Sequence, residues 1–210
     1  MRKGRRKYYD IFSHFYDYVI KLHSQDKSLK LRHYFAHKIK PKSKDKILDL
    51  CTGTGALAIV LSEYVPNGIV IGLDFSFGML KKAKEKKERL KKKNIHLVVA
   101  DAASLPFKAN TFDIITCSHA MYELSGHTRK LALQEIKRCL KIKGRFGMME
   151  HEEPKQPFIK LLYHLRLLSM GKEGRKIIRK ELDELKGIFS NVKKEVTPTG
   201  RTKFICGEKL

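Results

Sequence analysis

No apolar run in this sequence approaches the ~18–20 residues needed to cross a bilayer. The opening MRKGRRKYYDIF is basic, but it lacks both a long apolar segment and a small-residue cleavage site, so it does not read as a secretory signal. Both absences predict a cytoplasmic protein. Cysteine is scarce and dispersed. Cys51, Cys117, Cys139 and Cys206 form no CxxC and no Cys/His cluster with metal-ligand spacing, which predicts reduced, mostly core thiols and no metal. Internal repeats and low-complexity linkers are lacking as well. With 42% apolar residues, 210 residues suffice for one domain with a full core. Acidic residues are few: 22 Asp and Glu stand against 45 Lys and Arg, a net charge of +23. That excess admits a nucleic-acid surface, an anionic membrane surface or a lysine-biased proteome with a solvated exterior, the 32% of charged residues can also mark a thermophile, and composition does not choose among these.

What is present is a regular alternation. Past Pro41, the stretches KILDL (46–50), IVIGL (69–73), IHLVV (95–99), FDIITC (112–117) and GRFGMM (144–149) read as strands. Between them GALAIVLSEY (55–64), the basic FSFGMLKKAKEKKERLKKK and residues 127–140 read as helices, the last with Ala132, Ile136, Cys139 and Leu140 at helical spacing. This pattern predicts parallel strands joined by crossover helices, a doubly wound sheet covered on both faces. Residues 8–39 read as two further helices, with Tyr9, Phe12, Tyr16 and Val19 near helical spacing. After Pro157 come helices over 158–170 and 173–189, the second striped by Ile178, Leu182, Leu185 and Phe189. VKKEV and TKFICG flank Pro198 and Gly200 as a terminal hairpin. A hairpin cannot join parallel strands, so one terminal strand must run antiparallel. The expected fold class is α/β: one doubly wound, mostly parallel seven-stranded sheet with an antiparallel terminal strand and N-terminal helices.

The stretch ILDLCTGTGALAI (47–59) places a glycine turn between a strand and a helix. Gly53-Thr54-Gly55-Ala56-Leu57-Ala58 satisfies the dinucleotide pattern G-x-G-x-x-G/A, and Asp74 follows about 20 residues on, where a ribose diol is gripped. No Gly-Lys-Ser/Thr follows, which excludes a Walker loop. Asp49 at the first strand's end opposes a pyrophosphate but suits a cation. Asp101, at the end of the third strand, suits an exocyclic amine such as adenine N6. Ligands of open α/β sheets bind outside the strands' carboxyl ends, where Asp49, Asp74 and Asp101 all point. A ligand with a ribose, an adenine, a positive charge and no phosphate fits this set, and S-adenosylmethionine (SAM) is such a molecule.

DLCTGTGALA, GLDFSFGMLKKAKEK, VVADAASLPFKANTFDIITC and LKIKGRFGMMEHEEP, in this order, resemble the motifs of class I SAM-dependent methyltransferases. YYDIFSHFYD resembles the opening of the branch containing ubiquinone and menaquinone biosynthesis C-methyltransferases. The resemblance implies a Rossmann-like methyltransferase fold. It also implies that Asp49, Thr52, Gly53 and Gly55, with Cys51 in the same loop, face the methionine part of SAM. Asp74 would bind the ribose with Phe75 and Met79 near the nucleoside, Asp101 and Ala102 would contact adenine, and Ser118 would lie close to the methyl. Cys51 stands where the family often has glycine, which predicts a looser first turn. The quinone branch usually carries an Arg-Asn-containing stretch after strand four. Here that stretch is SHAMYELSG, which counts against a quinone acceptor.

Methyl transfer is an in-line displacement yielding S-adenosylhomocysteine; a carbon or phenol acceptor needs a base, a neutral amine or thiolate does not. His119 and Tyr122 after strand four, and Glu150 and His151 ending strand five, are expected to line the mouth of the site, with His119, Tyr122 and His151 as catalytic candidates. Asp74 is expected on the ribose or as a helix N-cap, and Asp101 on adenine or in a simple turn. Residues 1–42 are expected to form a helical cap over a core spanning 43–210, with a helical lid insertion about 155–172. The basic-aromatic RKGRRKYYDIFSHFYDYVI and the apolar PFIKLLYHLRLLSMGK, carrying Lys160, His164 and Arg166, admit two readings: ordinary lid helices, or surfaces that admit a lipid-like acceptor and touch an anionic membrane from the cytoplasmic side. The basic helix over 81–93 lacks the interleaved aromatics of a stacking surface, so nucleic acid is not favoured. The functional expectation is methyl transfer to a small, apolar or lipid-like acceptor. An RNA or protein methyltransferase, a non-catalytic SAM-binding regulator and an NAD-dependent oxidoreductase stay open, as does the oligomeric state.

Overall fold

A computed structural model of the chain describes residues 5–13, 29–152, 171–198 and 200–210. Its centre is a seven-stranded sheet of order β3-β2-β1-β4-β5-β7-β6. The strands are β1 (Lys46–Leu50), β2 (Ile69–Asp74), β3 (Ile95–Val99), β4 (Phe112–Ser118), β5 (Leu140–His151), β6 (Ser190–Val196) and β7 (Thr202–Glu208). β1 to β5 pair in parallel, and β7 inserts antiparallel between β5 and β6. The expected mixed sheet with an antiparallel terminal strand is thus the observed one. Strand order reverses beside β1, at the β1/β4 boundary, which is where open α/β sheets bind ligands.

The helices are α1 (residues 5–13), α2 (Lys30–Ile39), α3 (Ala56–Tyr64), α4 (Phe77–Arg89), α5 (Gly126–Cys139) and α6 (Gly171–Lys186), with a 3₁₀ turn at Met121–Glu123. Apolar residues alternate to both faces of the buried strands, so two cores form. Leu48, Leu50, Ile115, Cys117 and Met148 pack with Ile136 of α5 and Leu185 of α6. Ile47, Val70, Ile114 and Met149 pack with Phe35 of α2 and Leu57 and Leu61 of α3. The expected helix over 158–170 and most of the insertion about 155–172 lie outside the described residues, as do the side chains of Tyr16, Val19, Lys160, His164, Arg166 and Ile178.

Two local differences from the expected boundaries have physical causes. β5 starts at Leu140 rather than Gly144, because residues 141–144 bulge against Asp113. Phe112 faces Leu140, the register resumes with Ile114 opposite Arg145, and Asp113 accepts from Lys141 Nζ at 2.7 Å. Within residues 1–42, the two helices have different neighbours. α2 lies in the core layer, with the Phe35 ring stacked on Phe204 at 5.5 Å. α1 reaches instead to the carboxyl ends of the strands, as described next.

Candidate active site

β1 ends in Asp49-Leu50, and the chain turns through Cys51 to Gly55 before α3 begins. Asp49 is 1% exposed. One of its oxygens accepts from Thr52 Oγ1 at 2.6 Å, the other from Thr116 Oγ1 at 3.0 Å. Burial raises this carboxyl to about 6, against the two hydroxyl bonds and the charge of Arg32. Asp49 is therefore an acid held beneath the loop rather than on its surface. The sequence analysis does not mark Thr116; its signal is a hydroxyl set between the apolar Ile115 and Cys117, where it is fully buried.

Cys51 has φ 54°, the left-handed region. A non-glycine residue there costs about 1–2 kcal/mol. The expected loosening of the turn is thus not observed: the turn keeps a glycine-like geometry and the cysteine carries the strain. The neighbouring Cys51 thiol, with burial, pushes the Cys117 thiol well up from its ordinary range. Cys117 and Cys139 are buried and Cys51 and Cys206 half-buried, all four reduced. Gly55 also requires its lack of a side chain. Its φ is 79°, and a Cβ there would sit 3.0 Å from the Ala83 Cβ, so it lets α3 and α4 meet beneath the loop.

Asp74 closes the loop from β2. Its Oδ2 accepts the Gly53 amide and its Oδ1 the Ser76 amide, each at 2.9 Å. Burial raises its pKa, opposed by these backbone bonds, and the nearby Asp10 carboxylate adds to the rise. The helix N-cap expected as one role of Asp74 belongs to Ser76, whose Oγ accepts the Met79 amide at 3.2 Å. Phe75 is half-buried beside Asp74, and Met79 turns into the core. Asp101 follows β3 and accepts the Ala103 amide at 2.8 Å, so it organises its own turn; Ala102 behind it is buried. Ser118 ends β4, paired with Met149 of β5.

The other half of the candidate site is built from the ends of β4 and β5. His119 takes φ 52° and donates its amide to the Met149 carbonyl at 2.7 Å. Its ring centroid is 4.5 Å from that of His151, and the Tyr122 ring is 6.3 Å from His151. The three catalytic candidates are therefore brought together. Glu150 is not at the mouth with them. Neighbouring residues of a strand point to opposite faces, so Glu150 turns inward and is 1% exposed. Its Oε1 accepts the Met121 amide at 2.8 Å, while Arg129 Nη1 donates to the Met121 carbonyl at 2.6 Å. Both backbone groups of Met121, the first residue of the 3₁₀ turn that carries Tyr122, are thus held from below. Lys203, opposite Glu150 on β7, pairs with the buried Glu181 of α6. Burial, then the charge of Glu181, pushes Glu150 to about 8, so it is protonated at neutral pH.

α1 spans these two halves. Asp10 Oδ1 accepts from Ser76 Oγ at 2.6 Å and from the Gly78 amide at 3.0 Å. Tyr9 packs edge-on to Phe75 at 5.8 Å, and Arg5 forms an ion pair with Glu123. Nothing local in the sequence marks Asp10, because its partners lie more than sixty residues away. Among the described residues no group of three or more His, Cys, Asp or Glu gathers as a metal site.

Comparison with known proteins fits this geometry. The ubiE/COQ5 methyltransferase family model matches residues 3–195. The demethylmenaquinone methyltransferase of Lactobacillus johnsonii is 41% identical over 132 residues, 62% of this chain and 53% of that protein. That of Staphylococcus carnosus is 36% identical over 165 residues, 70% of this chain and 67% of that protein. The first relatives are thus matched over about half their length. A SAM-dependent methyltransferase from Aquifex aeolicus superposes with a TM-score of 0.66 at 20% identity, over 92% of this chain and 98% of that one, and so shares the fold. With its strand order, its glycine loop tied to Asp74 and this match over nearly its whole length, the chain belongs to the ubiE/COQ5 methyltransferase family.

Proposed function

We propose that this protein transfers a methyl group from SAM to a small, apolar, lipid-like acceptor. The observation that carries the reading is the Asp74 carboxylate, which ties the glycine loop to the start of α4 at the sheet's switch point. The donor set fits SAM rather than a pyrophosphate: Asp49, Asp74 and Asp101 are all acids, and Lys86, which reaches the loop from α4, donates to the Thr54 hydroxyl at 2.8 Å. SAM supplies an electrophilic methyl on a sulfonium. Asp74 keeps free lone pairs for a ribose diol beyond its two backbone bonds. Asp49, below the loop, sets a negative potential for the ammonium and sulfonium, and its two hydroxyl bonds hold Thr52 in place. Asp101 and Ala102 frame the adenine side, and Ser118 the methyl side.

His119, His151 and Tyr122 face the acceptor. A carbon or phenol acceptor gives up a proton, and a neutral imidazole of the His119–His151 pair is the base within that group. Tyr122 orients the acceptor, and its own position is fixed through Met121 by Glu150 and Arg129. α1 closes over the cleft and excludes water. The relatives named demethylmenaquinone methyltransferases make demethylmenaquinone the first acceptor to test. The stretch SHAMYELSG, in place of an Arg-Asn-containing one, favours a related apolar molecule that needs no guanidinium.

The first experiment is calorimetric titration of wild type and Asp74→Asn with SAM and, separately, with NAD. SAM binding that weakens at least about tenfold in the variant is expected, the loss of one charged hydrogen-bonding partner being worth about 1.5–3 kcal/mol. Absence of SAM binding, or a preference for NAD, would overturn the reading. Methylation of demethylmenaquinone, followed by release of S-adenosylhomocysteine, then tests the acceptor.

A further inference from the structure

Large apolar side chains scattered singly on a surface are ordinary, but a group of them rimmed by one sign of charge marks an interaction site. α1 and the start of α4 carry such a group. The inner side of α1 is committed to the protein: Tyr9 meets Phe75, Asp10 binds Ser76 and Gly78, and Ser13 is buried. The contact is close, since a Cβ on Gly78 would lie 2.8 Å from the Asp10 carbonyl oxygen and from Ser13 Oγ. Flanking it, Tyr8 is 57%, Ile11 60% and Phe77 61% exposed. Tyr8 and Ile11 are three apart on one helical face, and Phe77 adjoins Gly78 on the other element. Arg6 and Lys7 lie exposed beside Tyr8, and Lys81 and Lys84 lie exposed one and two turns beyond Phe77. Asp10 is the only acid among the described residues of α1 and is turned into the contact. On α4, Glu85 pairs with Lys82 and Glu88 with Lys84.

We infer that α1 and the first turns of α4 form a docking surface for an anionic phospholipid bilayer, with Tyr8, Ile11 and Phe77 entering the headgroup region and Arg6, Lys7 and Lys81 meeting lipid phosphates. Interfacial binding combines these two features, apolar side chains on one face and basic residues at its rim. RNA is the poorer match. Stacking platforms use successive open aromatic faces, whereas here one face of the Tyr8 ring is already stacked on Phe12 at 5.5 Å and 18°, Ile11 offers no π-face, and Phe77 is a single exposed ring. No helix among the described residues is long and apolar enough to span a membrane. The surface lies beside the candidate site, because α1 bridges Ser76 on the nucleoside side to Glu123 on the acceptor side. Docking there presents the cleft to the bilayer. The inference rests on these exposed residues and holds whichever acceptor is used.

The test is flotation of the full chain with vesicles of phosphatidylcholine alone and of phosphatidylcholine with phosphatidylserine, at low and high salt. Wild type is compared with Ile11→Asp/Phe77→Asp and with Arg6→Glu/Lys7→Glu. Wild type is expected to float only with phosphatidylserine and to be released by salt. Each double variant is expected to lose about tenfold or more in partitioning while binding SAM as wild type does, which checks folding. Equal flotation of the Ile11→Asp/Phe77→Asp variant overturns the proposal and leaves charge elsewhere as the cause. Preference for RNA over vesicles overturns it as well. So does a concentration-dependent dimer that the same variant abolishes, since a second copy then covers the face.

Discussion

The carboxylate of Asp10 accepts the amide of Gly78 across 68 residues of chain, at 3.0 Å. With the Ser76 hydroxyl on the same oxygen, one side chain fastens α1 to the N-terminus of α4, where the helix dipole favours an anion. Asp10→Ala removes both bonds and is expected to cost about 1–2 kcal/mol of local stability. Gly78→Ala forces a methyl against the Asp10 backbone and is expected to do at least as much. Limited proteolysis should show faster cleavage within residues 5–13 in both variants, while urea melts of the core shift little. Unchanged cleavage would mean that the clasp does not hold α1.

Gly55 and Ala83 make the second close approach. Gly55→Ala adds a methyl 3.0 Å from the Ala83 Cβ at a left-handed residue. A loss of about 1–3 kcal/mol is expected, from strain and overpacking together. Gly55→Ala combined with Ala83→Gly relieves the clash but not the dihedral strain. The double variant should therefore recover part of the loss in a thermal melt, and full recovery would show that the φ of Gly55 costs nothing.

Stability should fall as pH rises through the neutral range. Glu150 sits at about 8 and Asp49 at about 6 in the folded protein, above their ordinary values near 4.5 and 3.8. The folded state thus keeps protons that the unfolded chain has released. The stability this confers is complete below the ordinary values and is lost as pH rises through 6 for Asp49 and 8 for Glu150. Each group contributes a slope of at most about 1.4 kcal/mol per pH unit in its window. Glu150→Gln keeps an acceptor for the Met121 amide and is neutral throughout. Urea melts between about pH 6 and 8 should be flatter for this variant than for wild type, and identical slopes would refute the assignment. Glu150 faces Glu181, Lys203 and Arg129, so Glu181→Gln should shift the same limb to lower pH.

His119 and His151, with centroids 4.5 Å apart, are proposed to act on the acceptor and not on the cofactor. His151→Phe and His119→Phe are expected to leave SAM affinity within about twofold and to lower methyl transfer by about 10²–10⁴-fold if one ring removes the acceptor proton. A parallel loss of SAM affinity would instead assign the pair to cofactor binding.

Much of this architecture was legible along the chain. Strand and helix periods are local properties, so the α/β alternation, the terminal hairpin and the antiparallel strand were all readable. The glycine loop and the acids at strand ends were readable too, since in a parallel sheet every strand's carboxyl end lies at one edge. What stayed hidden depends on partners far apart in sequence or on a single dihedral. Asp10 and Ser76 meet across 66 residues. Thr116 shares Asp49 with Thr52, and Ser76 rather than Asp74 caps α4. Cys51 adopts a glycine-like φ that its side chain does not announce. The adjacent Glu150 and His151 read alike as polar residues at a strand end, yet only the pleat sends one under the 3₁₀ turn and the other to the site. The sequence by itself determined the sheet and the edge that carries the candidate site, because both follow from local periodicity and parallel topology. Only the tertiary structure decided which polar side chains face that edge and which are buried beneath it, because that depends on strand register and on contacts between distant segments.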